Sequence, residues 1–414
     1  MIGIIAHHYW GRPGGGQLVS AAAAHSLDYL GIEPVLVGSS KFSPEKYGEW
    51  FGLPLTSYKI YTPPIRLKAF GLFTRVLLWY PLKKAIKKFD PDLIWTDEVT
   101  YKPILNERRF KLIEYVHFPF ELYVDSRFKN LPFYYKNDPY IFERYGRFPM
   151  NIYFEFFLYL LKKTIRENPF EVCEAVLTNS KWTAEKVELA YGMRPIVLNP
   201  PIPPNVEILK DPPGFHERQK IVVMVGRFSE EKRYHWVIRQ VMPKILKEDP
   251  EVKLYIFGGA GTPTAFRYVE YLQSTARKTG LKLALNKDSI KEEEYNVLLY
   301  TDAPRSLINS TMDKAKVFFH ATINEHWGVV VTEAMARGLP VTIHDSGGAS
   351  SDIVENGLRG FVYNTAEEAA EKVVKLMNEE RTWNMFSSRG LEKAENLTFD
   401  KFHARHKDII EKII

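Results

Sequence analysis

Short, continuous apolar runs that stop at glycine or polar turns and alternate with helix-like stretches constrain this chain more than any other feature. Met1-Ile2-Gly3-Ile4-Ile5-Ala6 leads to Gly14-Gly15-Gly16, then to an alanine- and leucine-rich helical stretch over 17–30. Past Gly31 and Pro34 comes Val35-Leu36-Val37-Gly38. Apolar strand, glycine turn, helix and apolar strand make a βαβ unit. The pattern recurs at Leu93-Ile94-Trp95-Thr96, at Lys111-Leu112-Ile113-Glu114-Tyr115-Val116-His117 and at Ala175-Val176-Leu177-Thr178-Asn179. Strands apolar on both faces belong to a parallel sheet covered by helices on both sides.

Asn199-Pro200-Pro201-Ile202-Pro203-Pro204-Asn205 interrupts this with four prolines in seven residues. Such a run supports neither helix nor sheet and reads as a stiff, extended connector. Beyond it the same alphabet restarts. Strands are expected at Lys220-Ile221-Val222-Val223-Met224-Val225-Gly226, at 252–258, at Lys316-Val317-Phe318-Phe319-His320 and at Pro340-Val341-Thr342-Ile343. Helices are expected over 234–248, 330–336 and 365–378. The division that follows is a first doubly wound α/β domain over 1–199, a linker over 200–205 and a second over 206–399. A helix over about 400–414 is expected to pack back on the first. In open parallel sheets a ligand sits outside the carboxyl ends of the strands, so two such domains are expected to face each other across a cleft.

Composition agrees with a folded, two-core chain. Of 414 residues, 45% are hydrophobic and 26% charged, which excludes disorder, collagen-like repeats and a coiled coil. No stretch reaches the roughly 18 uninterrupted apolar residues of a membrane-spanning helix. The start lacks a basic region and turns polar at His7-His8, unlike a signal peptide. The single cysteine, Cys173, allows no internal disulfide and no cysteine-based zinc site. A cytoplasmic protein is expected.

The residues suited to chemistry cluster late in the chain. Asn324-Glu325-His326-Trp327-Gly328-Val329-Val330-Val331-Thr332-Glu333-Ala334-Met335-Ala336-Arg337-Gly338 follows a buried strand. Gly328 lets backbone approach a ligand and opens a helix whose free amides favour an anion. Glu325 precedes that helix and Glu333 lies on it, so the two carboxylates reach different parts of an elongated ligand. A spaced glutamate pair alone is more often a cap or ion-pair partner. Val225-Gly226-Arg227-Phe228-Ser229-Glu230-Glu231-Lys232 ends another strand and supplies a guanidinium and an ammonium, a provision suited to a diphosphate. Gly15 and Gly16 make a weak phosphate-loop signal. His117 ends a buried strand in Tyr115-Val116-His117-Phe118-Pro119. His7, His8, His320, His326 and His344 lack metal-ligand spacing and read as structural.

Taken together, these blocks resemble the glutamate-x7-glutamate signature of family 4 retaining glycosyltransferases, whose fold is GT-B. Asn-Glu-His-Trp-Gly followed by Thr-Glu-Ala-Met-Ala-Arg-Gly is most similar to Alg-type mannosyltransferases that extend dolichol-linked oligosaccharides. The resemblance implies that Glu325 contacts the transferred sugar, that the amides of Trp327, Gly328 and Val329 contact sugar and phosphate, and that Glu333 holds the ribose. It implies further that Arg227 and Lys232 neutralise the leaving nucleotide, and that Gly15 and Gly16 lie near the donor. Separately, the strand-to-loop turn Gly258-Gly259-Ala260-Gly261 is expected to place the Gly259 amide near the nucleotide. His117 would meet the transferred sugar. His117, Glu325, Arg227 and Lys232 are then the expected catalytic set, with no metal and no cofactor beyond a GDP- or UDP-linked sugar substrate. Residues 281–302 are longer and more charged than the family pattern and are expected to contact the base.

The remaining signals concern the partner. Residues 55–89 carry eight basic side chains (Lys59, Arg66, Lys68, Arg75, Lys83, Lys84, Lys87, Lys88) and no acidic one, interleaved with Phe70, Phe73, Trp79 and Tyr80. Residues 115–159 contain 17 aromatics, with Lys129, Lys136, Arg144 and Arg147 among them. Aromatic and basic residues together suit a membrane surface or a lipid-linked acceptor. A solvated helix face and a large aromatic core are the plain readings. Nucleic acid is not expected as a partner. The expected reaction is retaining transfer of a hexose, mannose first, from a nucleotide-diphosphate sugar to a glycan or lipid-linked acceptor. Competing readings are a sugar phosphorylase or nucleotide-sugar epimerase on the same scaffold, and a non-enzymatic basic protein that binds membrane or nucleic acid. Products formed with donor alone, with phosphate or with a lipid acceptor separate these.

Overall fold

A computed structural model describes residues 1–64, 71–97, 103–138, 141, 145–164, 167–286 and 294–414. Arg66, Lys68, Phe70 and Arg144, together with positions 287–293 of the stretch expected to contact the base, lie outside the described residues. The chain forms two compact units. One is Met1–Asn205 with Thr398–Ile414, the other Val206–Leu397.

In the first unit a parallel seven-stranded sheet has the order β3-β2-β1-β4-β5-β6-β7. Its strands are β1 (Ile2–Ala6), β2 (Glu33–Val37), β3 (Lys59–Tyr61), β4 (Leu93–Thr96), β5 (Lys111–Val116), β6 (Ala175–Thr178) and β7 (Ile196–Val197). All four residues of β4 are buried, so helices cover both faces. On one face Ile4, Val35, Ile94 and Leu112 pack against Leu78, which caps the helix Trp79–Phe89, and against Leu82, Ala85 and Ile86 within it. That i, i+4, i+7, i+8 spacing is the apolar stripe of a half-buried helix, and each such side chain contributes about 1.5–3 kcal/mol when fully buried. The proline-rich stretch holds no helix or strand, and Asn205 Nδ2 donates to the Glu49 carbonyl. The helix Phe399–Ile410 packs on the helix Gly15–Tyr29, where the Ser26 hydroxyl lies 2.9 Å from Nδ1 of both His403 and His406.

The second unit repeats the plan with the order β10-β11-β9-β8-β12-β13-β14. Here the strands are β8 (Gln219–Val225), β9 (Lys253–Gly258), β10 (Leu283–Leu285), β11 (Val297–Thr301), β12 (Ala315–His320), β13 (Val341–His344) and β14 (Phe361–Tyr363). Val222, Met224, Leu254, Ile256, Val317 and Phe319 alternate along their strands and share a core with Ile238, Val241, Ala369, Val373 and Leu376. Arg218 is buried beneath this sheet and donates to the carbonyls of Pro213, Met312, Ala315 and Arg337.

One sequence expectation changes. The helix expected over 234–248 is divided by a wide π turn at Val237–Val241. Pro243 removes one amide from the ladder just beyond it, and the wider turn accommodates the gap. The charged stretch 281–302 contains β10 and the interior strand β11, whose apolar Val297-Leu298-Leu299 core is only three residues long.

Candidate active site

The strand order turns back between β1 and β4 in the first unit and between β8 and β12 at the middle of the second sheet. Ligands of open α/β sheets bind outside the strand ends at such a point. The residues singled out in the sequence lie on those two sets of strand ends.

In the second unit the loop after β12 carries Glu325. Its backbone bridges to Gly347, and Asn324 N–H donates to Ser346 Oγ at 2.7 Å, which fixes the loop. Lys232 comes from the turn after β8, and its Nζ lies 2.8 Å from Glu325 Oε2. His320, the last residue of β12, donates from Nε2 to the same oxygen at 3.0 Å. Burial by itself would push the Glu325 carboxyl up, but the Lys232 ammonium and the His320 hydrogen bond hold it well below the usual carboxylate range. Burial likewise lowers His320, which acts as a neutral donor. His320 is thus part of the site rather than merely structural. The signal that could have found it is its place five residues before Glu325, at a strand end.

Arg227 leaves β8 beside Lys232, but its guanidinium pairs with Glu231 at 2.6 Å and stays largely exposed. Glu231 lies in electrostatic range of Arg227, Lys232 and Glu325 together. Gly259 follows β9, and its carbonyl accepts from Phe228 N–H at 3.4 Å, which ties the two loops.

Gly328 adopts φ 93°, a left-handed value that glycine takes without strain, and starts the helix Val329–Ala336. The first amides of that helix have no partner within it. Trp327 is buried, and its indole N–H has no partner among the described residues. Glu333 is buried one turn into the helix and accepts from Arg305 Nη1 at 2.6 Å and Nη2 at 3.4 Å. Arg305 was given no role from the sequence, because its contact with Glu333 spans 28 positions. The second unit therefore brings Lys232 and Glu325 into direct contact. Arg227 and Glu333 are each held by a different partner, Glu231 and Arg305.

In the first unit Gly15 and Gly16 form the first turn of the helix Gly15–Tyr29, after the capping residue Gly14. A Cβ on Gly16 would lie 3.2 Å from His117 Nε2 and 3.4 Å from Asp97 Oδ2, so glycine permits this close approach. His7, Asp97 and His117 each follow one of three adjacent strands, β1, β4 and β5. His7 and His117 both reach the Asp97 carboxylate.

Asp90-Pro91-Asp92 is an Asp-x-Asp triplet in spelling, yet it precedes β4 at the opposite end of the sheet. There Asp90 closes the Trp79–Phe89 helix with φ 45°, and Asp92 accepts from the Ile2 amide at 2.7 Å. Among the described residues no group of three or more His, Cys, Asp or Glu is placed to hold a metal ion.

Residues 205–393 match the family model of glycosyl transferases group 1. The second unit belongs to that family. A human GDP-Man:Man(3)GlcNAc(2)-PP-Dol alpha-1,2-mannosyltransferase is 27% identical over 218 residues, which cover 50% of this chain and 41% of the human protein. A trehalose synthase of Pyrococcus horikoshii is 27% identical over 197 residues, 47% of this chain and 44% of that protein. The chain thus spans less than half the length of these curated relatives. The fold as a whole is that of GT-B glycosyltransferases. An Anabaena HepE structure in complex with UDP-glucose aligns over 100% of both chains with a TM-score of 0.66 at 15% identity. A Rickettsia africae glycosyltransferase aligns over 100% of this chain and 97% of its own with a TM-score of 0.64 at 13% identity.

Proposed function

We propose that this protein is a retaining glycosyltransferase that moves a hexose, mannose before glucose, from a nucleotide-diphosphate sugar to a hydroxyl of a lipid-linked or other glycan acceptor. The observation that carries the reading is the Lys232–Glu325–His320 cluster at the strand-order reversal of a unit that belongs to the group 1 transferases. Mannose and a GDP carrier rest on the names of the mannosyltransferase relatives. The UDP-glucose complex of the Anabaena neighbour makes a UDP-hexose the second donor to test.

The diphosphate leaves with charge that must be met as the bond breaks. Lys232, Arg227 and the amides that open the Val329–Ala336 helix supply positive and partial-positive groups that need no reorganisation at that moment. Glu325, kept ionised by Lys232 and His320, accepts from sugar hydroxyls, and Glu333 accepts from the ribose. His117 meets the transferred sugar. No carboxylate is assigned as a covalent nucleophile: in the proposed course the leaving phosphate takes the acceptor proton on the same face of the sugar, and the anomeric configuration is kept. A phosphorylase or epimerase is the alternative that donor-alone and phosphate incubations exclude.

Membrane association is part of the proposal. Ile152, Phe156 and Tyr159 are exposed on the helix Met150–Thr164, and Leu77 and Tyr80 are exposed next to it, with Lys84 over the Tyr80 ring at 4.4 Å. An apolar stripe beside lysines suits an anionic bilayer surface. No described helix is long and apolar enough to cross a membrane.

The test is a thermal-shift panel of GDP- and UDP-sugars followed by product analysis with a polyprenyl-diphosphate glycan. A donor at about 100 times its Kd stabilises the fold by about 2.7 kcal/mol. GDP-mannose is expected to shift Tm most and to yield an α-linked product. Absence of any shift and of any transfer across the panel overturns the reading.

A further inference from the structure

The group in the first unit that sequence motifs did not flag is Asp97. Its carboxylate is buried between two imidazoles, with His7 Nδ1 at 2.6 Å from Oδ2 and 2.8 Å from Oδ1, and His117 Nε2 at 2.9 Å from Oδ2. Three neighbouring parallel strands create this trio, because each ends one residue before one of its members.

The protonation pattern follows from Gln17, on the first turn of the helix Gly15–Tyr29. Its side-chain nitrogen lies 2.7 Å from the Tyr9 carbonyl oxygen and 2.9 Å from His7 Nε2. An amide oxygen in that place would face the carbonyl oxygen, so the atom is the NH2 group, and it donates to both. His7 Nε2 is therefore an acceptor, and the His7 proton sits on Nδ1 and goes to Asp97. The carboxylate, nearly sealed from water, has only acceptor lone pairs to offer its second partner, which must donate from Nε2. His117 is the one member of the trio with an accessible side chain, 31% exposed. It lines a cavity of about 630 Å³ together with Phe118, Phe120, Glu121 and Tyr191.

We infer that Asp97 is a positioning residue: it locks His117 with its proton on Nε2 and leaves Nδ1 as the ring nitrogen that a ligand hydroxyl meets. His7 and Gln17 set the orientation of Asp97 itself, and the absent side chain at Gly16 makes room for His7, Asp97 and His117. Nδ1 of that His117 tautomer is then an acceptor for a sugar hydroxyl. The role of His117 toward sugar rests on the proposed transfer reaction, whereas its tautomer does not.

The experiment reads the two separately. In protein labelled with 15N-histidine, His117 is expected to show a protonated Nε2 and an unprotonated Nδ1 in its neutral form. The reverse pattern overturns the inference with no variant needed. In Asp97→Asn one carboxylate oxygen becomes an NH2 group, and because His7 Nδ1 lies 2.8 Å from Oδ1 and 2.6 Å from Oδ2, that group confronts the His7 proton in either orientation and disturbs the pairing that holds the His117 ring. For transfer, Asp97→Asn is expected to lower kcat about 10- to 100-fold, the size seen when a partner that orients a functional histidine is lost, with KM changed less than about threefold. In a His117→Ala background the same substitution is expected to change nothing further. An equal loss with and without His117 would mean that Asp97 serves the fold alone. If no donor is turned over, the transfer reading fails while the tautomer measurement still decides this inference.

Discussion

Lys232 and His320 converge on a single oxygen of Glu325, while Arg227, five residues before Lys232, stays largely exposed. The two cations are therefore not equivalent. In the proposed transfer reaction Arg227→Gln takes a positive charge away from the diphosphate without opening a core. It is expected to cost about 2–4 kcal/mol in kcat/KM, the size of a lost oxyanion donor, and to change unfolding free energy by less than about 0.5 kcal/mol. An unchanged kcat/KM in steady-state assays would remove Arg227 from the site. Arg218 is the opposite case. Its guanidinium ties four backbone carbonyls and stacks on Trp383 at 5.1 Å. Arg218→Met leaves those carbonyls unsatisfied and is expected to lower urea unfolding stability by about 2–4 kcal/mol, with donor affinity of the folded protein unchanged. Glu325 and Lys232 were legible in the sequence because their motifs are local. Arg305, Glu231, His320 and Asp97 were not, because what defines each of them is a side-chain contact, and for Arg305 and Asp97 that contact spans 20 to 90 positions.

Among the elements, the helix Phe399–Ile410 docks through a buried titratable group. His406 is fully buried against Ser26, and burial pushes its ring down to about 3. It is neutral when folded, whereas the unfolded ring titrates near 6.5. As pH falls below about 6.5 the unfolded chain takes up a proton that the folded one refuses. Stability is thus lost by up to about 1.4 kcal/mol per pH unit until the pH nears 3. His406→Gln, which retains an acceptor for Ser26, is expected to flatten the fall of Tm between pH 7 and pH 5 measured by calorimetry. An identical slope in both proteins would show that other groups carry the acid sensitivity. The long strands β5, β8, β9 and β12 were readable from their apolar runs. The edge strands β3, β7, β10 and β14 span only two or three residues and exist because a neighbour offers them hydrogen bonds.

For the whole molecule, the exposed apolar stripe on the first unit and the proposed donor site on the second predict separable behaviour. Replacing Ile152, Phe156 and Tyr159 by serine is expected to reduce co-sedimentation with phosphatidylserine vesicles at least tenfold, from the apolar area lost. The same protein should keep its nucleotide-sugar thermal shift. Binding to vesicles that survives the triple change, or that ignores added salt, would place the contact elsewhere.

Periodicity and turn chemistry are local, so the chain itself already determined two doubly wound α/β halves around a proline-rich break, and it marked Glu325, Glu333, Arg227 and Lys232 by motif. Partner choice is not local. That Glu325 is shared by an ammonium and an imidazole, that Glu333 is taken by Arg305, and that Asp97 stands between two histidines depend on which strands lie side by side. Strand order is set by the packing of whole helices on both faces of a sheet, a balance of burial summed over the domain, and only the folded structure decides it.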